Sequence, residues 1–265
     1  MARLLACTSF LIDLDGTLYL DEELLPGALE LLALLDERDH GYVFLTNNSS
    51  HSGHAYRERL ARLGIEVARD RILTSGDATI DFVLNKTRHR SCYLVGTPGL
   101  EADVREAGLE LDADAPDCVI VGYDTTFDYA KLEVACRLVA RGLPYYATHP
   151  DKTCITSRGL VPDIAAIIAA IEAVVGKLPK IIGKPQPEMV EAALRRLGSE
   201  AETTAILGDQ LDTDMTMAHW SGLCAVLMMS GETTPEKLAA WPQDQRPALV
   251  ATDIGQVHQW LVHAD

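Results

Sequence analysis

Apolar runs with strand character alternate with amphipathic helical patterns along almost the entire chain, and no other feature constrains the fold as strongly. The strand-like runs are "TSFLIDLD", "GYVFLTNN", "CYLVG", "CVIVGY", "PYYATH", "TTAILGD", "LCAVLMM" and "ALVATD". Helical periodicity falls between them at Pro26–Asp39, His51–Leu63, Gly76–Asn85, Phe127–Val139, Val161–Val175, Pro187–Leu197, Leu211–Trp220 and Ile254–Val262. Such alternation predicts a parallel sheet with helices on both faces. The runs are continuous rather than alternating, as expected of strands buried on both sides. The longest apolar segment, Ile164–Val175, is interrupted by Glu172 and falls short of the ~20 residues a bilayer-spanning helix needs. It reads as a buried helix, and no membrane partner is expected.

Three strands end in polar clusters, "DLDGT", "LTNNSS" and "LGDQLDTD". In an open parallel sheet, ligands bind beyond the carboxyl ends of the strands, so three separate strand ends point to one rim. The middle of the chain has strands of its own, ending in "VGT", "VGYDTT" and "ATHPDKT". It is long enough to form a separate α/β unit inserted into the first. The expected division is a core part over residues 1–77, an inserted unit over 78–180 and a second core part over 181–265.

The chain of 265 residues carries 39 acidic against 23 basic residues, a formal net charge of −16. That balance argues against nucleic acid and anionic membrane surfaces as partners. It also means that an anionic substrate would need local positive charge. The six cysteines, Cys7, Cys92, Cys118, Cys136, Cys154 and Cys224, include no Cys-x-x-Cys pair and read as reduced thiols of a cytoplasmic protein. "LLAC" at Leu4–Cys7 looks like a lipoprotein cleavage box, but the apolar stretch before the cysteine is only Leu4–Ala6, against the roughly 7–15 apolar residues a signal peptide needs.

Asp13 and Asp15 stand at the mouth of the first apolar run. Two carboxylates so close repel each other and resist leaving water, so a cation or a shared proton is expected between them. A calcium loop would require Gly at its sixth position and Glu at its twelfth; Leu18 and Leu24 occupy them. Residues i and i+2 leaving a strand point the same way. A divalent metal would keep Asp13 ionised and neutralise an incoming phosphate, while Asp15 could hold a proton as general acid. Gly16 lets the backbone turn, and Thr17 offers a hydroxyl and an amide.

"TNN", Thr46–Asn48, suits phosphate oxygens at a helix start, or plain N-capping by Asn48 or Ser49. "IGKP" supplies Lys184 on a short loop. "GDQLDTD" supplies Asp209 directly at a strand end; hard oxygens of this kind suit Mg²⁺. Asp214 could anchor metal-bound water or Lys184, and Asp212 could favour a helix N-terminus. His51 and His54, at i and i+3 beside Arg57, Glu58 and Arg59, read as a wet helix face, with metal binding by the pair as the alternative. His40, His89 and His149 have no partner identifiable from the sequence.

With "DLDGT", "TNN", "GKP" and "GDQLDTD" in this order, the chain resembles the haloacid dehalogenase superfamily of phosphohydrolases. The likeness is closest to its NagD-like and p-nitrophenylphosphatase-like branch and covers nearly the whole length. It implies a Rossmann-like, doubly wound core with an inserted α/β cap. It also implies Asp13 as nucleophile, Asp15 as acid/base, and Thr46, Asn47, Asn48 and Lys184 as the phosphate cradle. Mg²⁺ would be held by Asp13, the Asp15 backbone carbonyl and Asp209. Asp163 and Ile164 depart from a place where relatives often carry small residues such as Gly.

The expected activity is Mg²⁺-dependent hydrolysis of a small phosphate monoester through an aspartyl-phosphate on Asp13, with p-nitrophenyl phosphate as an artificial substrate. Pyridoxal phosphate and nucleotides are the alternative substrates. A non-catalytic phosphometabolite-binding protein would be expected to lack Asp13, Asp15, Lys184 or Asp209. The loop Thr148–Gly159 is the place for leaving-group recognition, with Asp151, Lys152, Thr153 and Arg158 as polar candidates. By likeness to NagD-like relatives, Cys154 lies near a substrate-contacting position; the alternative is a small buried filler. A loop with these groups and no aromatic ring favours a sugar or polyol phosphate, and a homodimer through the cap stays open.

Overall fold

The computed structural model describes residues 1–156 and 159–263 and divides into two compact units. The first comprises Met1–Thr46, Arg57–Leu73 and Val190–Asp265; the second comprises Asn47–Tyr56 and Thr74–Met189. The second unit therefore takes in the segment after the "LT" strand end and runs on past residue 180.

The first unit is built on a sheet whose strands lie in the order Leu249–Ala251, Cys224–Met228, Thr204–Gly208, Ser9–Asp13, Gly41–Thr46, Ile72–Thr74. Pairing from Leu249–Ala251 through Gly41–Thr46 is parallel, with Ile12 level with both Leu207 and Phe44. Every residue of Ser9–Asp13, Thr204–Gly208 and Cys224–Met228 is buried. That two-sided burial is why these strands read as unbroken apolar runs. The chain leaves Ser9–Asp13 toward Gly41–Thr46 on one side and later returns at Thr204–Gly208 on the other. The strand order reverses there, and the ends of Ser9–Asp13 and Thr204–Gly208 flank the crevice that such a reversal opens.

Helices Ala28–Glu37 and Ile254–Val262 pack together in this unit. Leu31, Leu35, Ile254 and Val257 are fully buried. Gly27, in the left-handed region at φ 85°, starts the first of these helices. A Cβ there would collide with the Gly255 backbone, so the close approach requires glycine.

The second unit holds a parallel sheet in the order Lys180–Ile181, Tyr145–Ala147, Cys118–Val121, Ser91–Val95, Glu110–Leu111. Tyr129–Ala140 and Ile164–Val175 cover it, burying Ala135, Leu138, Ile164, Ile167 and Ile171 against Val95, Val119 and Val121. An antiparallel hairpin, Thr153–Thr156 with Gly159–Pro162, sets Cys154 opposite Val161.

All eight expected strands are present, and the eight helical patterns correspond to helices with three differences of detail. The helix expected from Val161 begins at Ile164, because Gly159–Pro162 pairs as a strand and the Asp163 side chain caps the helix. Leu211–Trp220 splits into a π-helical turn, Leu211–Met215, and an α-helix, Thr216–Ser221. The pattern from His51 starts its helix only at Gly53. Ile72–Thr74, Pro98–Glu106 and Pro235–Ala240 were not anticipated. No helix among the described residues is long and apolar enough to cross a membrane.

Candidate active site

In the first unit, Asp13 ends its strand and Asp209 follows directly after Thr204–Gly208, on the adjacent strand. Asp214 comes from the π-helical turn just beyond. Their side chains are 6%, 1% and 0% exposed, and one carboxylate oxygen of each lies within 4.8 Å of the others. Three buried acidic groups this close repel strongly unless a cation neutralises them. Hard oxygens converging from rigid strand ends are the donor set that a small divalent metal takes. Asp214, expected as an outer support, thus reaches the same cluster.

The surroundings hold this cluster in place. The Asp209 carboxylate accepts a hydrogen bond from the Glu232 amide at 2.6 Å, and its carbonyl accepts from Thr233 Oγ1 at 2.6 Å. Asp214 accepts from the Gln210 amide at 3.2 Å. Gly16 and Gly231 press against the Asp209 carboxylate, where a Cβ on either would collide with it. Gly16 also sits at φ 86° in the turn after Asp13, so its freedom is used twice. Ser230 Oγ ties the two segments by donating to the Gly16 carbonyl at 2.7 Å. Thr17 and Thr46 are buried.

Asp15 is placed differently from Asp13, with a side chain 60% exposed. The Tyr19 hydroxyl donates to it at 3.4 Å, and Arg59 Nη1 lies 3.9 Å from its other oxygen. The Arg59 guanidinium stacks 4.3 Å over the Tyr19 ring and donates to the Asp21 carbonyl. Arg59 is therefore not part of a wet helix face. Its one-dimensional signal was absent, because the groups it touches lie some forty residues earlier.

The second unit carries Asn47, Asn48, Lys184 and Cys154. Asn47 is buried, and its amide donates to the Lys184 carbonyl at 3.0 Å and to the Asp151 carboxylate at 3.2 Å. Asn48 accepts from the Ser50 amide and hydroxyl at 2.9 and 2.7 Å, a local turn that replaces N-capping. The cap of the next helix is Ser52, whose hydroxyl accepts from the Ala55 amide at 3.1 Å. Lys184 is only 4% exposed, whereas Lys180 is half exposed and paired with Glu188. The Gly183 amide donates to the Thr148 carbonyl at 2.7 Å, seating the Lys184 loop.

Burial holds the Asp151 carboxyl above the usual carboxylate range. Cys154 is half-buried and packs against the apolar core of this unit; Arg158 lies outside the described residues.

A doubly wound sheet with buried carboxylates at its switch point and an Asp-x-Asp turn on the central strand defines a class of metal-assisted phosphohydrolases. The sequence profile of haloacid dehalogenase-like hydrolases matches residues 10–110, and a second HAD-hydrolase-like profile matches residues 181–257. The dihydroxyacetone phosphatase of Corynebacterium glutamicum is 32% identical over 249 residues, covering 94% of this chain and 90% of that protein. The crystal structure of 4-nitrophenylphosphatase from Thermotoga maritima superposes with a TM-score of 0.93 at 38% identity, over 98% of this chain and 99% of that one. NagD from Escherichia coli gives 0.87 at 32% identity, over 94% and 98%. The chain belongs to the haloacid dehalogenase superfamily, in the NagD-like and p-nitrophenylphosphatase-like branch, and is a phosphoric monoester hydrolase.

Proposed function

We propose that this protein is a Mg²⁺-dependent phosphatase that hydrolyses small phosphate monoesters, sugar or polyol phosphates foremost, through an aspartyl-phosphate on Asp13. The observation that carries this reading is the buried cluster of Asp13, Asp209 and Asp214 at two adjacent strand ends. The site fits a small divalent cation, which Asp13, Asp209 and the Asp15 backbone carbonyl would hold with support from Asp214. When bound, Mg²⁺ would neutralise the phosphate and the developing charge.

The chain's own groups then have these roles. An Asp13 carboxylate oxygen attacks phosphorus as the bond to the ester oxygen breaks. Asp15 gives its proton to the leaving alkoxide. It then takes a proton from the water that adds to the acyl-phosphate, releasing phosphate and restoring Asp13. Its exposed side chain can exchange that proton with solvent. Thr46, Asn47, Asn48 and Lys184 serve as the phosphate ligands, and Thr17 supports the Asp13 turn. The polar character of Asp151, Lys152 and Thr153 favours a hydroxylated leaving group. The name of the dihydroxyacetone phosphatase relative is in keeping with that choice. Residues 78–180 act as the specificity cap. The six free thiols suit a cytoplasmic setting.

A panel of phosphorylated sugars, glycerol phosphate, nucleotides, pyridoxal phosphate and p-nitrophenyl phosphate, assayed with Mg²⁺ and with chelator, tests this directly. The highest kcat/KM should fall on a sugar or polyol phosphate and require Mg²⁺. A maximum on nucleotides or pyridoxal phosphate would overturn the substrate class. Full activity in chelator would overturn the metal.

A further inference from the structure

His149 and Asp163, both without an evident role in the sequence, are each other's partner. His149 Nε2 lies 3.0 Å from Asp163 Oδ1, with His149 0% and Asp163 6% exposed. The same carboxylate oxygen accepts the Ile164 amide at 2.5 Å, capping the helix Ile164–Val175. A carboxylate can only accept, so Nε2 carries the proton. On the other side of the ring, Thr148 Oγ1 lies 2.9 Å and Ser75 Oγ 3.3 Å from Nδ1.

Ser75 spends its single proton on the Asn47 carbonyl. Ser49 accepts from the Tyr123 amide at 2.9 Å and lies 2.9 Å from Thr148 Oγ1. These contacts join Tyr123 N–H, Ser49, Thr148, His149 and Asp163 into one buried chain, with Nε2–H donating to Asp163 at its end. Ser49, Ser75 and Thr148 are all 0% exposed, so each link is shielded from competing water. Two branches leave this chain toward the proposed anion ligands. Ser75 grips the Asn47 backbone, and the Thr148 carbonyl accepts the amide of Gly183, next to Lys184.

We propose that His149, held by Asp163 through Nε2–H, is a positioning residue that sets Asn47 and Lys184 for phosphoryl binding. This rests on the reading above that those two residues belong to the phosphate cradle. A side chain that touches no substrate, yet fixes the groups that do, acts in the way an outer shell acts on ligands.

The test measures kcat and KM for p-nitrophenyl phosphate and the inhibition constant of inorganic phosphate in the Mg²⁺-loaded enzyme. His149→Ala should raise KM and the phosphate inhibition constant together by about tenfold, the size of one lost buried hydrogen bond, with kcat nearly unchanged. His149→Gln, which can still donate to Asp163, should recover most of the loss. The near-isosteric Asp163→Asn keeps the helix cap and should shift the same two constants in the same sense. Asp163→Asn also provides the readout if His149→Ala does not fold. Ring ¹⁵N shifts should report a proton on Nε2 in the native protein.

Lys184→Ala is the control for the underlying reading: an unchanged phosphate inhibition constant there would remove the cradle itself. If Lys184→Ala weakens phosphate binding while the His149 and Asp163 variants leave it unchanged, the positioning role is overturned. A loss confined to kcat overturns it too, as does a ring with no proton on Nε2.

Discussion

Changing Asp209 to Asn should stabilise the metal-free protein and abolish its stabilisation by Mg²⁺. At an effective dielectric constant of about 20, two unit charges at the 4.8 Å limit of this cluster repel by about 3 kcal/mol. Three ionised carboxylates make three such pairs, and removing one charge deletes two of them. Local polar groups and relaxation screen part of that repulsion, so a gain of about 1–3 kcal/mol is expected at neutral pH. The Glu232 amide can still donate to the asparagine oxygen, so the local hydrogen bonding survives. In the native protein, Mg²⁺ at about a hundred times its dissociation constant adds about 2.7 kcal/mol, or roughly 5–10 °C in melting temperature. The assay is a pair of thermal melts for each protein, one with chelator and one with Mg²⁺. An Asp209→Asn protein that melts below the native one in chelator, and still gains several degrees from Mg²⁺, would refute the reasoning.

Three further outcomes follow from the same structure. Gly231→Ala would push a methyl group into the Asp209 carboxylate, so the Mg²⁺ concentration for half-maximal activity should rise by about tenfold or more; an unchanged Mg²⁺ titration would contradict this. Burial raises the Asp151 carboxyl, so the native state holds this proton more tightly than the unfolded chain. Stability from this group is present at low pH and lost as pH rises from the ordinary value of 3.8 through the raised one. Asp151→Asn should therefore raise the melting temperature at neutral pH, with the gain shrinking on acidification; a gain independent of pH would count against it. Replacing Thr153 and Cys154 together should alter the ratio of kcat/KM between sugar phosphates and p-nitrophenyl phosphate, whereas an equal effect on all substrates would remove this strand from specificity.

The central strands were legible because burial on both faces leaves only apolar side chains at every position, as in Phe10–Ile12 and Ala225–Met228. Asp13 and Asp209 were legible because a carboxylate that ends such a run has no packing reason to be there. Ile72–Thr74 was not, since three residues followed at once by a helix make no pattern of their own. Asp163 read only as a departure because its meaning lies in His149, fourteen residues away on the other side of the antiparallel hairpin. Arg59 was hidden by two charged neighbours of the same helix, although its cation–π contact with Tyr19 and its approach to Asp15 are long-range in sequence. Asn48 read as a cap because side-chain chemistry alone does not distinguish a helix start from the local turn it makes with Ser50.

Covalent catalysis at Asp13 is tested most directly by trapping the phosphoryl group on it. In an Asp15→Asn variant, the acyl-phosphate should form with an activated ester such as p-nitrophenyl phosphate, but its hydrolysis should slow. After acid quench and proteolysis, mass spectrometry should find one added phosphoryl group on the peptide containing Phe10–Leu20, on Asp13, and none when Asp13 is also changed to Asn. A phosphorylated side chain elsewhere, or turnover that persists in a clean Asp13→Asn preparation, would contradict catalysis through this residue.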